Sequence, residues 1–303
     1  MKNFRTLYLV IAAITYLNPS SIVYAQPGDK EYFSFSEALT NSAEVYRLNL
    51  RKNSLKELPQ QIGAFTNLRY LMLMQNNLVS LPNEIGSLAK LSELNLRKNK
   101  IQFLPSQFSA LTSLRTLYLE NNVLVEFPTE VFALDSLSAL HLGTNRISHI
   151  SKSIKKMKNL GVLELMNNEL TSIPKQLFLP NLTYVDLSGN QISKSPRFGS
   201  SADSLSTLNL HSNKLRSLST SIKNLSHLKV LTLSQNQLTK IPKSIGKLKN
   251  LEIMILSGNN LTKLPEEIKN LKKLSLLYLQ GNSFTKEEMV RIRDLLPQAT
   301  VLF

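Results

Sequence analysis

Leu91-Ser92-Glu93-Leu94-Asn95-Leu96-Arg97-Lys98-Asn99-Lys100-Ile101 carries apolar residues eight, five and three positions before an asparagine and another two positions after it. Leu228-x-x-Leu231-x-Leu233-x-x-Asn236-x-Leu238 repeats the frame, and asparagines at 53, 76, 99, 122, 145, 168, 190, 213, 236, 259 and 282 close every copy at an interval of 23 residues, once 22. The short interval lies in the sixth copy, where Ile173 to Leu182 has one residue fewer than its counterpart Leu58 to Leu68. Within a copy, Leu94-Asn95-Leu96 has the period of two that makes a short strand with leucines facing inward. One strand per copy stacks into a parallel sheet. The apolar residues at −8, −5, −3, +2 and +5 then form one continuous core that no single copy could bury alone. Each asparagine sits where the chain leaves the strand, and its amide can satisfy backbone groups that the turn would otherwise bury unpaired. All eleven are therefore expected to be structural.

Most copies continue as Leu-Pro-x-x-Ile-x-x-Leu, as in Leu81-Pro82-Asn83-Glu84-Ile85-Gly86-Ser87-Leu88. This pattern resembles the leucine-rich repeat in its 23-residue form. The resemblance implies an α/β solenoid, a right-handed horseshoe with a parallel β-sheet on its concave face and eleven repeats over residues 45–282. Helical caps are expected over 26–44 and 283–303. The prolines at 59, 82, 105, 128, 174, 242 and 265 stiffen the convex return, where no sheet hydrogen bond is lost. The end coils need covering. Tyr32-x-x-Phe35-x-x-x-Leu39 with Val45 reads as an amphipathic helix over the first coil. Thr285-Lys286-Glu287-Glu288 reads as a capping box opening a helix with Met289, Ile292, Leu295 and Leu296 on its apolar face. Pro297 stops that helix, and Val301-Leu302-Phe303 is a candidate last strand. Both caps, Phe35 to Leu39 before Val45 to Leu50 and Glu287 to Pro297, resemble those of the secreted leucine-rich-repeat proteins of pathogenic spirochaetes, of leptospiral type. That resemblance implies an exported protein, bacterial virulence and an interaction with host or cell-surface molecules.

Residues 1–25 read as a signal peptide: Lys2 and Arg5 start it, Leu7 to Leu17 is its apolar stretch, and Val23-Tyr24-Ala25 offers a cleavage site before Gln26. The apolar stretch is too short to span a bilayer, no later stretch reaches eighteen apolar residues, and no cysteine is present for lipid attachment. A secreted or extracytoplasmic protein, not a lipoprotein and without a membrane span, is expected. The chain has 303 residues, 42 % of them apolar, so it is not a disordered polyelectrolyte. The absence of cysteine removes disulfides, thiolate metal sites and cysteine nucleophiles, so an exported fold must hold by packing alone.

The residues argue against catalysis. Ubiquitin-ligase effectors that carry such repeats use a cysteine nucleophile, and this chain has neither that residue nor room for another domain. There is no Gly-rich phosphate loop, His-Glu-x-x-His or Gly-x-Ser-x-Gly. His149 and His227 fall at outward coil positions. His141 and His211 project from the sheet but lie three strands apart, about 14 Å at ~4.8 Å per strand, too far to share an ion. No cofactor and no metal site are expected.

Alternation places the residues at −6, −4 and −2 from each asparagine outward on the concave sheet. Tyr70, Met72, Met74, Tyr118, Met166 and Tyr184 offer the large contact area with modest ordering cost that protein interfaces use. Arg97 and His141 lie among them. Glu164 and Asp186 fall side by side in adjacent strands with Glu120 nearby, an arrangement that repels itself unless a cation or basic group arrives. These eleven residues form the candidate protein-binding face. A monomer is expected, with the concave column Val230, Ile253, Ile255 and Leu276 as a second contact patch or a homodimer seam.

The chain carries +15, or +13 once Lys2 and Arg5 leave with the leader. Arg47, Arg51, Lys52, Arg97 and Lys98 on the concave side nearly balance Glu93, Glu120, Glu164 and Asp186, so most of the charge lies on the convex and lateral surfaces. Lys152, Lys155, Lys156 and Lys158 cluster on one return segment and fit a pattern proposed for heparin-like polymers, while solvated lysines are the plainer reading. Nucleic acid is not expected, since no aromatic interleaving supports base stacking. The expected function is a secreted, non-enzymatic module that recognises a protein through its concave sheet. The alternative is a glycosaminoglycan or anionic-surface adhesin acting through the lysine-rich convex side.

Overall fold

The computed structural model describes residues 30–199 and 202–303, so the expected leader lies outside the described residues. Among the described residues thirteen strands form one parallel sheet in strict chain order. They are β1 (Glu31–Tyr32), β2 (Arg47–Asn49), β3 (Tyr70–Met72), β4 (Glu93–Asn95), β5 (Thr116–Tyr118), β6 (Ala139–His141), β7 (Val162–Glu164), β8 (Tyr184–Asp186), β9 (Thr207–Asn209), β10 (Val230–Thr232), β11 (Ile253–Ile255), β12 (Leu276–Tyr278) and β13 (Thr300–Leu302). Strands β2 to β12 are the eleven repeats, and β1 and β13 come from the caps.

The coils bury nearly all of the leucine frame, with Leu55 and Ile173 only partly covered. Leu91, Leu94, Leu96 and Ile101 have no exposed surface and Leu104 only 4 %. Burying one leucine contributes about 1.5–3 kcal/mol relative to leaving it exposed, so the apolar positions, five per coil except where Ser195 and Glu287 take the last place, hold the stack without a disulfide. On the return side each proline has φ near −65° and precedes a single 3-10 turn, as Pro82 does for Asn83–Ser87. Where serine replaces it, at Ser151 and Ser219, the hydroxyl accepts the N–H of Ser153 or Ser221 and closes the same turn. The missing residue of the sixth repeat is absorbed here. Its 3-10 turn shrinks to Lys175–Leu177, while β7 and β8 keep their register, Glu164 opposite Asp186.

The asparagines form a ladder from coil to coil. Asn99 donates from Nδ2 to the carbonyls of Leu73 (2.9 Å) and Leu96 (2.9 Å), and its Oδ1 accepts the N–H of Leu78 at 3.1 Å. Asn76 to Asn282 repeat this arrangement. Asn53 departs from it: it is exposed, and its amide makes none of these bonds among the described residues. Its place at the first coil leaves it no earlier repeat to hold.

The caps differ from expectation at the N-terminal end. Tyr32 belongs to a strand, not a helix, and pairs with Leu48 of β2. The helix α1 spans only Phe35–Leu39, opened by Ser34, whose Oγ accepts the Glu37 N–H. Leu39 is 38 % exposed, and the buried contacts come from Tyr32, Ala38 and Val45 instead. Strand pairing satisfies the backbone edge of β2, which a helix there would leave open. At the other end Thr285 caps helix α2 (Lys286–Leu295), Ile292 and Leu296 are buried, and β13 closes the sheet. Glu288 does not complete the capping box. Its carboxylate accepts the Leu264 N–H at 3.0 Å and pairs with Arg291, which donates to the Leu264 carbonyl, so the helix is docked on the last coil's backbone.

Candidate functional site

The concave sheet brings the candidate residues of β3 to β8 into one field. Adjacent parallel strands in exact alignment would place like positions about 4.8 Å apart, and the register confirms the columns: Asn95, Tyr118, His141, Glu164 and Asp186 stand opposite one another in turn. Tyr118 is the centre of the field. Its ring stacks on His141 with centroids 4.6 Å apart and 16° between planes, and the Arg97 guanidinium lies over it at 5.1 Å. At the start of the face Arg47 covers the Tyr70 ring at 4.3 Å. These contacts fix rings and guanidinium in place before any partner arrives.

The acids are answered from within the chain. Arg97 forms an ion pair with Glu120 through both Nε and Nη2. His141 Nδ1 lies 2.7 Å from Glu164 Oε2. Asp186 accepts from the Ser188 N–H (2.8 Å), the Ser188 hydroxyl (2.6 Å) and Asn209 Nδ2 (2.9 Å). The expected acidic group therefore does not stand unanswered. Glu120 and Asp186 are only 3 % and 9 % exposed, so they shape the face from below. Tyr70, Met72, Met74, Arg97, Tyr118, His141, Glu164, Met166 and Tyr184 are half-buried with their outer surfaces open. Met166 leans across Gly143, where a β-carbon would meet its Sδ at 2.5 Å, so the glycine leaves room for it.

Burial in this field raises the Glu93 carboxyl above its ordinary value, against the opposing pull of Arg47 and His141. It raises Asp186 likewise, although the bonds from Ser188 and Asn209 favour the charged form. Burial and then the charge of Glu93 push the Tyr118 hydroxyl up to about 12. Burial works against the Arg97 charge, and the bond to Glu120 more than restores it. The face is a partly desolvated, charge-paired surface.

One grouping escaped the sequence reading, which looked for pairs of histidines. Glu120, His141 and Glu164 each bring one donor atom within 4.8 Å of the others. The signal was present as a diagonal step, from −2 in one repeat to −4 in the next two.

The C-terminal apolar column is less open than expected. Val230 is 8 % and Ile255 1 % exposed; Val230 stands between Thr207 and Ile253 in register, and Ile255 between Thr232 and Tyr278. Ile253, Leu276 and Tyr278 remain half-buried. Lys152, Lys155, Lys156 and Lys158 are all exposed on the return side. Lys155 also borders a shallow cleft of about 410 Å³ with Lys175, Arg197, Phe178 and Phe198.

A family model described as a leucine-rich repeat region matches residues 44–219 and 185–296. The chain belongs to the leucine-rich repeat family. No protein of curated function matches it. Among solved structures it is similar to a leucine-rich-repeat protein of Leptospira interrogans, at 28 % identity over 90 % of this chain and 100 % of that one, with a TM-score of 0.50. An internalin of Listeria monocytogenes shares the fold at 20 % identity, with 90 % and 84 % of the chains covered and a TM-score of 0.69. The ectodomain of the Arabidopsis thaliana receptor kinase GASSHO1/SCHENGEN3, solved in complex with CASPARIAN STRIP INTEGRITY FACTOR 2, matches at 27 % identity and a TM-score of 0.65 over 85 % of this chain and 34 % of that one. The likeness to spirochaete leucine-rich-repeat proteins expected from the sequence extends to a solved structure. Among the described residues no helix is long and apolar enough to cross a membrane.

Proposed function

We propose that the protein is an exported, non-enzymatic recognition module that binds a host or cell-surface protein through its concave sheet. The observation that carries this reading is the Arg97, Tyr118, His141 and Glu164 cluster: an aromatic ring clamped between a cation and an imidazole, half-buried and open on one side. Preordered aromatic and arginine side chains lose little freedom on association and are the residue types that dominate binding energy. Tyr70, Met72, Met74, Met166 and Tyr184 extend the contact area on both sides, while Glu120 and Asp186 hold their neighbours. The plant ectodomain solved with its factor supports protein recognition by this repeat class.

The test is capture of extracellular host proteins by the purified chain, comparing it with a Tyr70→Ala, Tyr118→Ala, Tyr184→Ala variant. Binding should fall at least a hundredfold in the variant with its melting temperature nearly unchanged. Retained affinity would reject the concave face. The exposed lysines beside the Lys175 and Arg197 cleft support a second reading, attachment to a glycosaminoglycan through the convex side. It expects salt-sensitive retention on heparin that Lys155→Ala, Lys156→Ala and Lys158→Ala weaken.

A further inference from the structure

We propose that Glu120, His141 and Glu164 bind one divalent transition-metal ion of the zinc class on the concave face. The three side chains come from successive repeats: His141 stands opposite Glu164 in β7, and Glu120 lies two residues past Tyr118, the end of β5 and the residue opposite His141. One donor atom from each lies within 4.8 Å of the others. A tetrahedral ion with bonds of about 2.0–2.2 Å holds its ligands roughly 3.4 Å apart, so small rotations of the two glutamate stems close the set.

A separate observation points to a ligand. Glu120 is 3 % exposed, its Oε1 is taken by Arg97, and its Oε2 is buried with no hydrogen-bond partner. A buried carboxylate oxygen without a donor is uncommon because it gives up water and gains nothing. A cation supplies what that atom lacks. His141 is prepared for the same role, since stacking on Tyr118 fixes its ring and its Nδ1 already faces Glu164 Oε2 at 2.7 Å. The ion takes the place of the hydrogen between those two atoms, and the coordinated imidazole carries its N–H on Nε2 instead.

The donor chemistry narrows the ion. One imidazole nitrogen with two carboxylate oxygens suits zinc and its first-row neighbours, whereas calcium and magnesium prefer oxygen alone. Arg97 offsets one of the two carboxylates, so the pocket keeps one net negative charge toward a doubly charged ion. Three protein ligands leave a fourth position for water or an incoming group.

Titration calorimetry of the purified chain with zinc chloride tests this, read alongside the visible absorption of added cobalt(II). One equivalent should bind with a dissociation constant in the micromolar range or tighter. His141→Gln, Glu164→Gln and Glu120→Gln should each weaken it at least tenfold, and His227→Ala should not. Glu120→Gln also disturbs Arg97, so His141→Gln and Glu164→Gln decide the matter if that variant folds poorly. Absence of saturable binding would overturn the proposal. So would binding that survives His141→Gln and Glu164→Gln, or that disappears in His227→Ala, which would place the ion at the exposed Asp203 and His227 pair. The reading is taken on the protein alone, so its failure leaves the concave partner hypothesis standing.

Discussion

Asn145→Ala removes one rung of the asparagine ladder. Asn145 Nδ2 donates to the carbonyls of Leu119 and Leu142, each at 3.0 Å, and its Oδ1 accepts the Leu124 N–H at 3.0 Å. The carbonyls are not orphaned by the change, because Asn122 still donates to Leu119 and Asn168 to Leu142. The Leu124 N–H is. Two lost bonds at about 0.5–1.5 kcal/mol each and one buried donor left unpaired at about 1–3 kcal/mol sum to roughly 2–6 kcal/mol. A central value of about 3 kcal/mol, at roughly 2–4 °C per kcal/mol for a domain of 150–250 residues, lowers Tm by about 6–12 °C. Asn53→Ala is the matched control, since Asn53 is exposed and lacks the ladder bonds, and it should shift stability by less than about 0.5 kcal/mol. Calorimetric melts of both variants decide. Equal shifts would mean that the asparagine is selected by the strand-exit geometry alone and that the ladder contributes nothing.

Thr144 has φ of 56°, a conformation that a β-branched residue adopts only under strain, and it is exposed. Thr144→Gly should raise stability by up to about 1 kcal/mol, the relief of a left-handed residue less the entropy of glycine, measured by urea unfolding. Gly189, at φ of 64° in the equivalent place, should resist the reverse change: Gly189→Ala adds strain and meets Asn167 Oδ1. Because burial raises the Glu93 carboxyl above 4.5, the folded state holds that proton more tightly than the unfolded chain. Its stabilising contribution is present below about pH 4.5 and is lost as pH rises through the folded value. Glu93→Gln should flatten that decline in a series of unfolding curves from pH 4 to 7, and an unchanged slope would place the effect elsewhere.

Much of the architecture was legible because one frame recurs eleven times, and a core shared between repeats leaves no other register in which Leu94 and Leu96 both face inward. The C-terminal helix was legible for the same kind of reason, a threonine cap before a spaced apolar face. Tyr32 was misplaced because two residues of strand carry no period, and pairing with β2 outweighed the helical spacing of Tyr32, Phe35 and Leu39. On the concave face alternation named the outward residues correctly but not their depth. Glu120 and Asp186 point outward and are still covered, because Arg97, Ser188 and Asn209 come from positions whose side-chain conformations no pattern encodes. The grouping of Glu120, His141 and Glu164 was hidden by a diagonal register that a column-by-column reading passes over.

Hydrogen exchange on a captured complex addresses the central claim most directly. Binding through the concave sheet predicts new protection concentrated in β3 to β8, over residues 70–72, 93–95, 116–118, 139–141, 162–164 and 184–186, with the 3-10 turns of the return side unchanged. Protection confined to residues 152–158 and their neighbours on that side would contradict it.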